Sequence, residues 1–461
     1  MSFVGRLLLG FHHSVKGSQS LAMLRESESR PRMSRTAILA YQFAHLSALL
    51  AEAEAHVPYY REMFQKLGIR SRNIRNLSDF SALPVLTKDI IREREQDLIR
   101  EDVHKDKLRV SHSGGSTGVP LSFYHDRSYD DASESGLYRN LQQCGWTPGD
   151  VIAYVWGGND TLYAMPRWKA ELRQHVLRRY EFDPFYSGPE EMDAWLEKWK
   201  SVKPSVIFGY ASTVARFAEH ARARGQKLRP LRGVFTTAER LYLPQREIIA
   251  SVFGCQVYDC YGSSEIRNIA AECPRSRMHV HADYVVLEVD RTGVEPGEPT
   301  PFIATSLLNR VMPFIRYRSE DCGQLVDGSC DCGSHFPLMD LKIARISDSF
   351  VLPGGRVVHG EFFTHLMYGS EGISSFQFHQ TGLDSVVLWI VPGPGDAGAR
   401  ARSIQDAVEK VKKLDPSSRI EVEVKTTEAI PLSRAGKHRF IRSDVRSDTR
   451  SNTPTLTGVN Q

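Results

Sequence analysis

No stretch of this chain is long and apolar enough to cross a bilayer. The longest apolar run near its start, Leu7-Leu8-Leu9, is closed off by Gly10-Phe11-His12-His13, whereas a spanning helix needs about 20 apolar residues. Arg6 ahead of that run has the look of a signal-peptide start, but no small-residue cleavage site follows it. A cytoplasmic protein is expected, its N-terminal segment free to touch a partner or a membrane face. Cysteine is scarce too. Seven in 461 residues, an odd number in a long chain, argues against a disulfide framework. Nor is charge of one sign massed anywhere. The net charge is +4, and the densest basic stretch, 434–446, is interrupted by Phe440, Ile441 and Asp444. No nucleic-acid groove is expected from such a pattern. Composition is otherwise that of a water-facing globular protein, 41% hydrophobic and 25% charged. The length points to more than one core.

A Walker lysine is also missing where one is first sought. Ser113-Gly114-Gly115-Ser116-Thr117-Gly118 concentrates glycines and hydroxyls in six residues. Glycine reaches positive φ without a Cβ clash, so such a loop can turn several N–H groups toward one anion. A Walker loop would continue with Lys-Ser/Thr into a helix. Here Val119-Pro120 follows, and then the alternating Leu121-Ser122-Phe123-Tyr124-His125. Leu108-Arg109-Val110 precedes it, so the loop is expected to join two strands. Taken alone, it is equally well the tip of a glycine-rich hairpin.

Beyond the loop, strand and helix patterns alternate. A helical pattern runs from about Ala37 to Leu67, after a poorly periodic first 35 residues, and Thr87 is placed to cap a helix entered at Lys88. Strands are expected at 151–156, 205–208, 233–236 and 256–258, with helices at 190–199, 212–224 and 245–252 between them. This rhythm predicts an α/β domain with parallel strands. Residues 284–307 turn β-rich. Past Arg345, Val386-Val387-Leu388-Trp389-Ile390-Val391, an Ala/Lys-rich helix at 399–414 and Ile420-Glu421-Val422-Glu423-Val424 suggest a small α+β unit. The expected division is 1–344, 345–446 and a disordered tail over 447–461.

Four further segments bear on the glycine loop: Asp259-Cys260-Tyr261-Gly262-Ser263-Ser264-Glu265, Arg316-Tyr317-Arg318-Ser319-Glu320-Asp321, the stretch from Arg345 through Gly354-Gly355 to Glu361, and Pro431-Leu432-Ser433-Arg434-Ala435-Gly436-Lys437. In this order the five segments resemble the adenylate-forming superfamily, over roughly residues 40–445. Tyr59-Tyr60-Arg61, Leu83-Pro84-Val85-Leu86-Thr87-Lys88 and Phe208-Gly209-Tyr210-Ala211-Ser212 are similar to the phenylacetate–CoA ligase-like branch, especially members associated with capsular polysaccharide genes.

The resemblance implies a large N-terminal adenylate-forming domain, with parallel sheets plus a β-rich subdomain, and a small mobile C-terminal α+β domain. It implies AMP-forming ligase chemistry: a carboxylic acid and ATP give an acyl adenylate, and coenzyme A then takes the acyl group. The alternatives are transfer to an amine or hydroxyl of a sugar or peptide, release of the adenylate itself, or a non-catalytic nucleotide-binding relative. ATP and the acid are both anions, so the site must hold them in line and spread the charge gathering on the α-phosphate.

By the same resemblance Ser113 to Gly118 clamp the outer phosphates, Glu265 holds Mg²⁺, and Tyr261 stacks on adenine with Gly262 and Ser263 beside it. Asp259 meets the adenine amino edge and Asp321 accepts from the ribose hydroxyls. Arg345 orients the hinge and phosphate end, and Lys437 brings a cation to the α-phosphate. Read as isolated residues, Tyr261 is equally a core aromatic and Asp321 a turn former. The family pattern Gly-Arg-x-Asp-Asp becomes Ala344-Arg345-Ile346-Ser347-Asp348 here, which leaves the hinge between Ser347 and Asp348. Cys273, His279, Cys330 and Cys332 can close a tetrahedral structural zinc site, with His281 as an alternative to His279, or they are buried thiols beside a satisfied histidine. A homodimer is a further implication. Phe208, Tyr210 and Trp156 suggest an aromatic or apolar acid, or only core packing.

Overall fold

The computed structural model describes residues 3–112, 121–156, 165–183, 189–291, 300–341, 350–353, 357–358, 363, 366–367, 370–414, 420–431 and 439–445. The glycine loop 113–118, Arg345, Ser347, Asp348, Gly354, Gly355, Glu361, Lys437 and the tail from Ser447 all lie outside the described residues. The chain divides into two compact units, the first over 1–343 in the main and the second beginning at 344.

In the first unit, strands β1 (Arg109–His112) and β2 (Ser122–His125) pair antiparallel on either side of the glycine loop. Strands β3 (Ile152–Val155), β4 (Arg179–Phe182), β5 (Val206–Tyr210), β6 (Gly233–Thr237) and β7 (Val257–Tyr261) are parallel, in the order β4-β3-β5-β6-β7. Helices Arg167–Leu177, Pro189–Val202, Ala211–Ala223 and Leu243–Phe253 make the crossovers, as parallel pairing requires.

Strand residues alternate between two cores. Ile207, Val234 and Val257 pack with Trp195, Phe217 and Phe253 from the crossover helices. Their neighbours Val206, Phe235 and Tyr258 pack on the opposite face with Leu137, Leu141 and Leu24. That period-two division is why these strands read as continuous apolar runs. Gly209 lies so close to β3 that a Cβ there would stand 2.5 Å from the Val155 carbonyl oxygen; only glycine lets these two strands meet.

The β-rich stretch extends the same sheet. Strands β8 (Ala270–Glu272), β9 (Met278–Val280), β10 (Val285–Val289), β11 (Thr300–Ser306), β12 (Tyr317–Val326) and β13 (Leu338–Asp340) continue it antiparallel in the order β7-β8-β9-β13-β12-β11-β10, giving eleven strands in all. Helices Arg35–His56 and Pro58–Lys66 cover this half through Leu46, Leu50, Tyr60 and Phe64.

The helix expected over 37–67 is thus two helices. Pro58 holds Val57 extended, at φ −111° and ψ 111°, because its ring disfavours a helical predecessor. Thr87 caps as expected, its Oγ1 accepting from the Ile90 amide at 3.3 Å. The weakly periodic first 35 residues hold two α-helices, Phe3–Lys16 and Ser20–Ser27, and a 3₁₀ turn at Arg30–Arg32.

In the second unit, β14 (Phe350–Val351) pairs with β15 (Val357–Val358). Strands β16 (Ile373–Gly382), β17 (Ser385–Pro392), β18 (Glu421–Thr426) and β19 (Ile441–Ser443) form a mixed sheet ordered β18-β17-β16-β19. Helix Ala397–Lys412 packs on it through Ala407 and Val411, over Phe376, Phe378, Leu388 and Ile390.

Candidate active site

The carboxyl ends of the parallel strands gather Trp156, Tyr210, Thr237 and the turn that follows β7. In open α/β sheets ligands bind beyond those ends. The turn after β7 is tied by two hydrogen bonds: the Ser263 amide donates to the Ile266 carbonyl at 2.9 Å, and the Ile266 amide donates to Ser263 Oγ at 3.0 Å. It delivers Glu265, which is only 6% exposed. The Tyr317 hydroxyl donates to Glu265 Oε1 at 3.3 Å, and the Tyr129 hydroxyl donates to the Glu265 carbonyl at 3.3 Å. A buried carboxylate that receives a phenol on one oxygen has acceptor capacity left on the other, a hard ligand suited to Mg²⁺.

Asp321 sits four residues along β12 from Tyr317, across a bulge in the pairing of β12 with β11. It is 8% exposed, and its Oδ2 accepts from the Tyr261 hydroxyl at 3.1 Å. Tyr261 is itself buried, with its ring tilted against Phe302 of β11 at 6.0 Å. Strand β12 therefore meets the end of β7 at two points, Tyr317 to Glu265 and Asp321 to Tyr261. Residues that the motifs single out about 60 positions apart are neighbours in space.

Asp259 is anchored differently. Its Oδ1 accepts from Thr236 Oγ1 at 3.1 Å, and its amide donates to Glu272 Oε2 at 2.8 Å. Glu272 is also held by Arg246 Nη2, at 2.8 and 2.9 Å. Enclosure and the Glu272 charge push the Asp259 carboxyl up to about 7. Beside these groups, Trp156 stacks on Phe208 with ring centroids 6.0 Å apart and leans on Tyr210 at 4.8 Å. The result is an aromatic wall at the ends of β3 and β5. Tyr317, Tyr129, and the Asp259 partners Thr236 and Glu272 were not assigned from sequence. Tyr317 lies inside a quoted motif, but its partner is fixed only by the sheet.

A second cluster lies at the far side of β8. The ligand atoms of Cys273, His279, Cys330 and Cys332 are all within 4.8 Å of one another. Cys273 Sγ stands 3.7 Å from Cys330 Sγ, and Cys332 Sγ stands 3.4 Å from His279 Nε2. A tetrahedron with Zn–S bonds of about 2.3 Å has sulfur–sulfur edges of about 3.8 Å. His279 Nδ1 faces the Phe336 carbonyl at 3.0 Å, which places its proton there and leaves Nε2 for a metal. The amides of Arg275 and Ser334 each donate to a thiol two residues back, at 3.4 Å. Three thiols and an imidazole so arranged fit zinc. His281 is instead turned to the Asn268 carbonyl, 3.0 Å from Nδ1, and packs against Tyr284 and Phe336; it is not in the cluster.

No family model matches the chain. The chain is 23% identical over 407 residues to Protein CapK of Staphylococcus aureus, covering 84% of this chain and 85% of that one. It is 26% identical over 348 residues to the phenylacetate-coenzyme A ligase of Thermus thermophilus, covering 72% and 75%. Among solved structures it is similar to 2-hydroxyisobutyryl-CoA ligase in its postadenylation state in complex with 2-HIB-AMP. The TM-score is 0.72 at 20% identity, over 90% of this chain and 91% of that one.

Proposed function

We infer that this chain, which has the adenylate-forming fold and is a relative of the phenylacetate-coenzyme A ligases, activates a carboxylic acid with ATP and passes the acyl group to coenzyme A. The acid's carboxylate oxygen attacks the α-phosphorus and pyrophosphate leaves. The thiol sulfur then attacks the acyl carbonyl, its proton passing to solvent, and AMP leaves with the bonding electrons. The observation that carries this reading is the convergence of Glu265 and Asp321 on the carboxyl end of β7, each held by a tyrosine hydroxyl.

Asp321 accepts from the ribose hydroxyls and is oriented for that by Tyr261. Asp259 takes the amino edge of adenine, and the loop 113–118 receives the outer phosphates. Glu265 would hold Mg²⁺, which when bound neutralises charge on the phosphates. The aromatic wall of Trp156, Phe208 and Tyr210 suits an aryl or apolar acid. Arg345 and Lys437 supply the remaining positive charge. Cys273, His279, Cys330 and Cys332 would hold zinc in a structural role, since four protein ligands leave no open position.

The test is pyrophosphate exchange over a panel of aryl, fatty and sugar acids, followed by AMP release with and without coenzyme A. Acid-dependent exchange, with AMP release that requires coenzyme A, is expected. Acid consumption that is the same without coenzyme A would move the acceptor to an amine or hydroxyl. No exchange with any acid would remove the ligase reading.

A further inference from the structure

The N-terminal helix Phe3–Lys16 buries one side and carries an apolar stripe on the other. Gly5, Leu9 and His13 are buried, and Gly5 lies so close to the Gly149 carbonyl oxygen that a Cβ would stand 2.4 Å from it. Val4, Leu7, Phe11 and Val15 occupy the other side and are 64, 57, 69 and 66% exposed. Their spacing of three, four and four residues makes one continuous stripe. The helix Arg167–Leu177, which packs against this one, adds Trp168 and Leu172, both more than half exposed. A helix whose outward side is open to water alone would carry polar residues there.

Basic groups outnumber acidic ones around the stripe, although Glu134 and Glu181 from neighbouring elements also face these helices. Next to the helix, a cavity of about 330 Å³ opens at the amino ends of β3, β5 and β6, lined by Arg178, Lys203, Arg229, Arg232 and Asp150 among others. Gly149, which touches Gly5, also lines it. Across the two helices and this cavity stand nine arginines and lysines and only two carboxylates. Both carboxylates are already paired, Glu171 with Arg167 at 2.9 Å and Asp150 with Arg232 at 3.4 Å. The cavity lies at the opposite end of the parallel strands from the candidate active site.

We propose that this face docks the protein on an anionic lipid bilayer. Leu7, Phe11 and Trp168 enter the interface, and the basic cavity receives lipid phosphate. Apolar burial combined with attraction to anionic headgroups is the chemistry of interfacial helices. The charge argues against a second copy as the occupant, because two such faces would repel each other. The proposal does not depend on which acid the enzyme activates.

The full chain should co-sediment with vesicles of phosphatidylcholine and phosphatidylglycerol at least about tenfold better than with phosphatidylcholine alone, and less well as salt rises. Two double variants separate the contributions. Leu7→Gln with Phe11→Gln, and Lys203→Glu with Arg229→Glu, should each lower that partition about tenfold or more, while pyrophosphate exchange and melting temperature stay unchanged. Equal binding to both vesicle types, or undiminished binding by the first variant, overturns the proposal. A dimer that the first variant converts to monomer, with no vesicle binding by the wild type, would instead name a second copy as the occupant and equally overturn it.

Discussion

Asp259 carries its proton into the neutral range because its surroundings favour the uncharged form. Enclosure and Glu272 raise its carboxyl to about 7, against opposing pulls from Thr236 and Arg246. The unfolded value is near 3.8, so the folded state binds more protons between the two. Its contribution to stability therefore declines as pH rises from about 4 to about 7. Function should run the other way, since only the carboxylate is a pure acceptor for the adenine amino group. KM for ATP should fall as pH rises through 7, with kcat changing less, and Asp259→Asn should flatten that dependence. A wild-type KM that does not vary between pH 6 and 8 would remove the adenine contact from the reading. At Glu265 one oxygen accepts from Tyr317, and on the proposed reading the other would take Mg²⁺. Glu265→Gln should cost on the order of 10²-fold in kcat/KM by weakening phosphate charge neutralisation. Tyr317→Phe removes one hydrogen bond and should cost about 1–2 kcal/mol, roughly tenfold. A magnesium titration of each variant's exchange rate distinguishes the two.

Strand β12 is the element on which the site turns, since it holds one partner of each tyrosine–carboxylate pair. The motif around Asp321 was legible in the sequence, whereas the partnership of Tyr317 with Glu265 was not. It requires knowing that β12 sits across from the end of β7, a matter of sheet order that local periodicity does not encode. The N-terminal helix Phe3–Lys16 lies in a stretch read as poorly periodic, although Val4, Leu7, Phe11 and Val15 keep helical spacing. The break at Val57-Pro58, by contrast, stood in the sequence as a proline rule. The cysteine–histidine cluster joins the β8–β9 hairpin to the connection between β12 and β13, so a metal held there would be coupled to the placement of β12. Metal present at a thousand times its dissociation constant adds about 4 kcal/mol to the folded state. Chelation, or Cys330→Ser, should lower the melting temperature, and zinc should restore the chelated wild type but not the variant. Unchanged melting after metal is stripped would make the cluster a set of thiols only. A second joint is the buried pair of Arg139 and Asp283, at 2.6 and 3.0 Å. Burial pulls the Asp283 carboxyl up, yet the Arg139 guanidinium holds it below its ordinary value. Asp283→Ala would strand that arginine and should cost about 3–5 kcal/mol, read from the denaturant midpoint.

At the scale of the whole molecule, the chain holds two cores. The first unit holds Glu265, Asp321 and the sheet that aligns them. The second unit has its own core around Phe378, Leu388 and Val411, and β19 just after Lys437 pairs with β16. The motifs along the chain were each weak alone and informative only in series. What one ammonium contributes is then a kinetic question. A cation that meets the bridging oxygen of the α-phosphate as charge builds there stabilises the transition state more than bound ATP. Lys437→Ala should therefore lower acid-dependent pyrophosphate exchange by at least about 10²–10³-fold, with ATP affinity and melting temperature close to wild type. Transfer from supplied acyl adenylate to coenzyme A should survive, because that step asks nothing of the α-phosphate bridge. Full exchange by Lys437→Ala would take this lysine out of the chemistry. Loss of both half-reactions together would give it a role in assembling the site rather than in stabilising the first transition state.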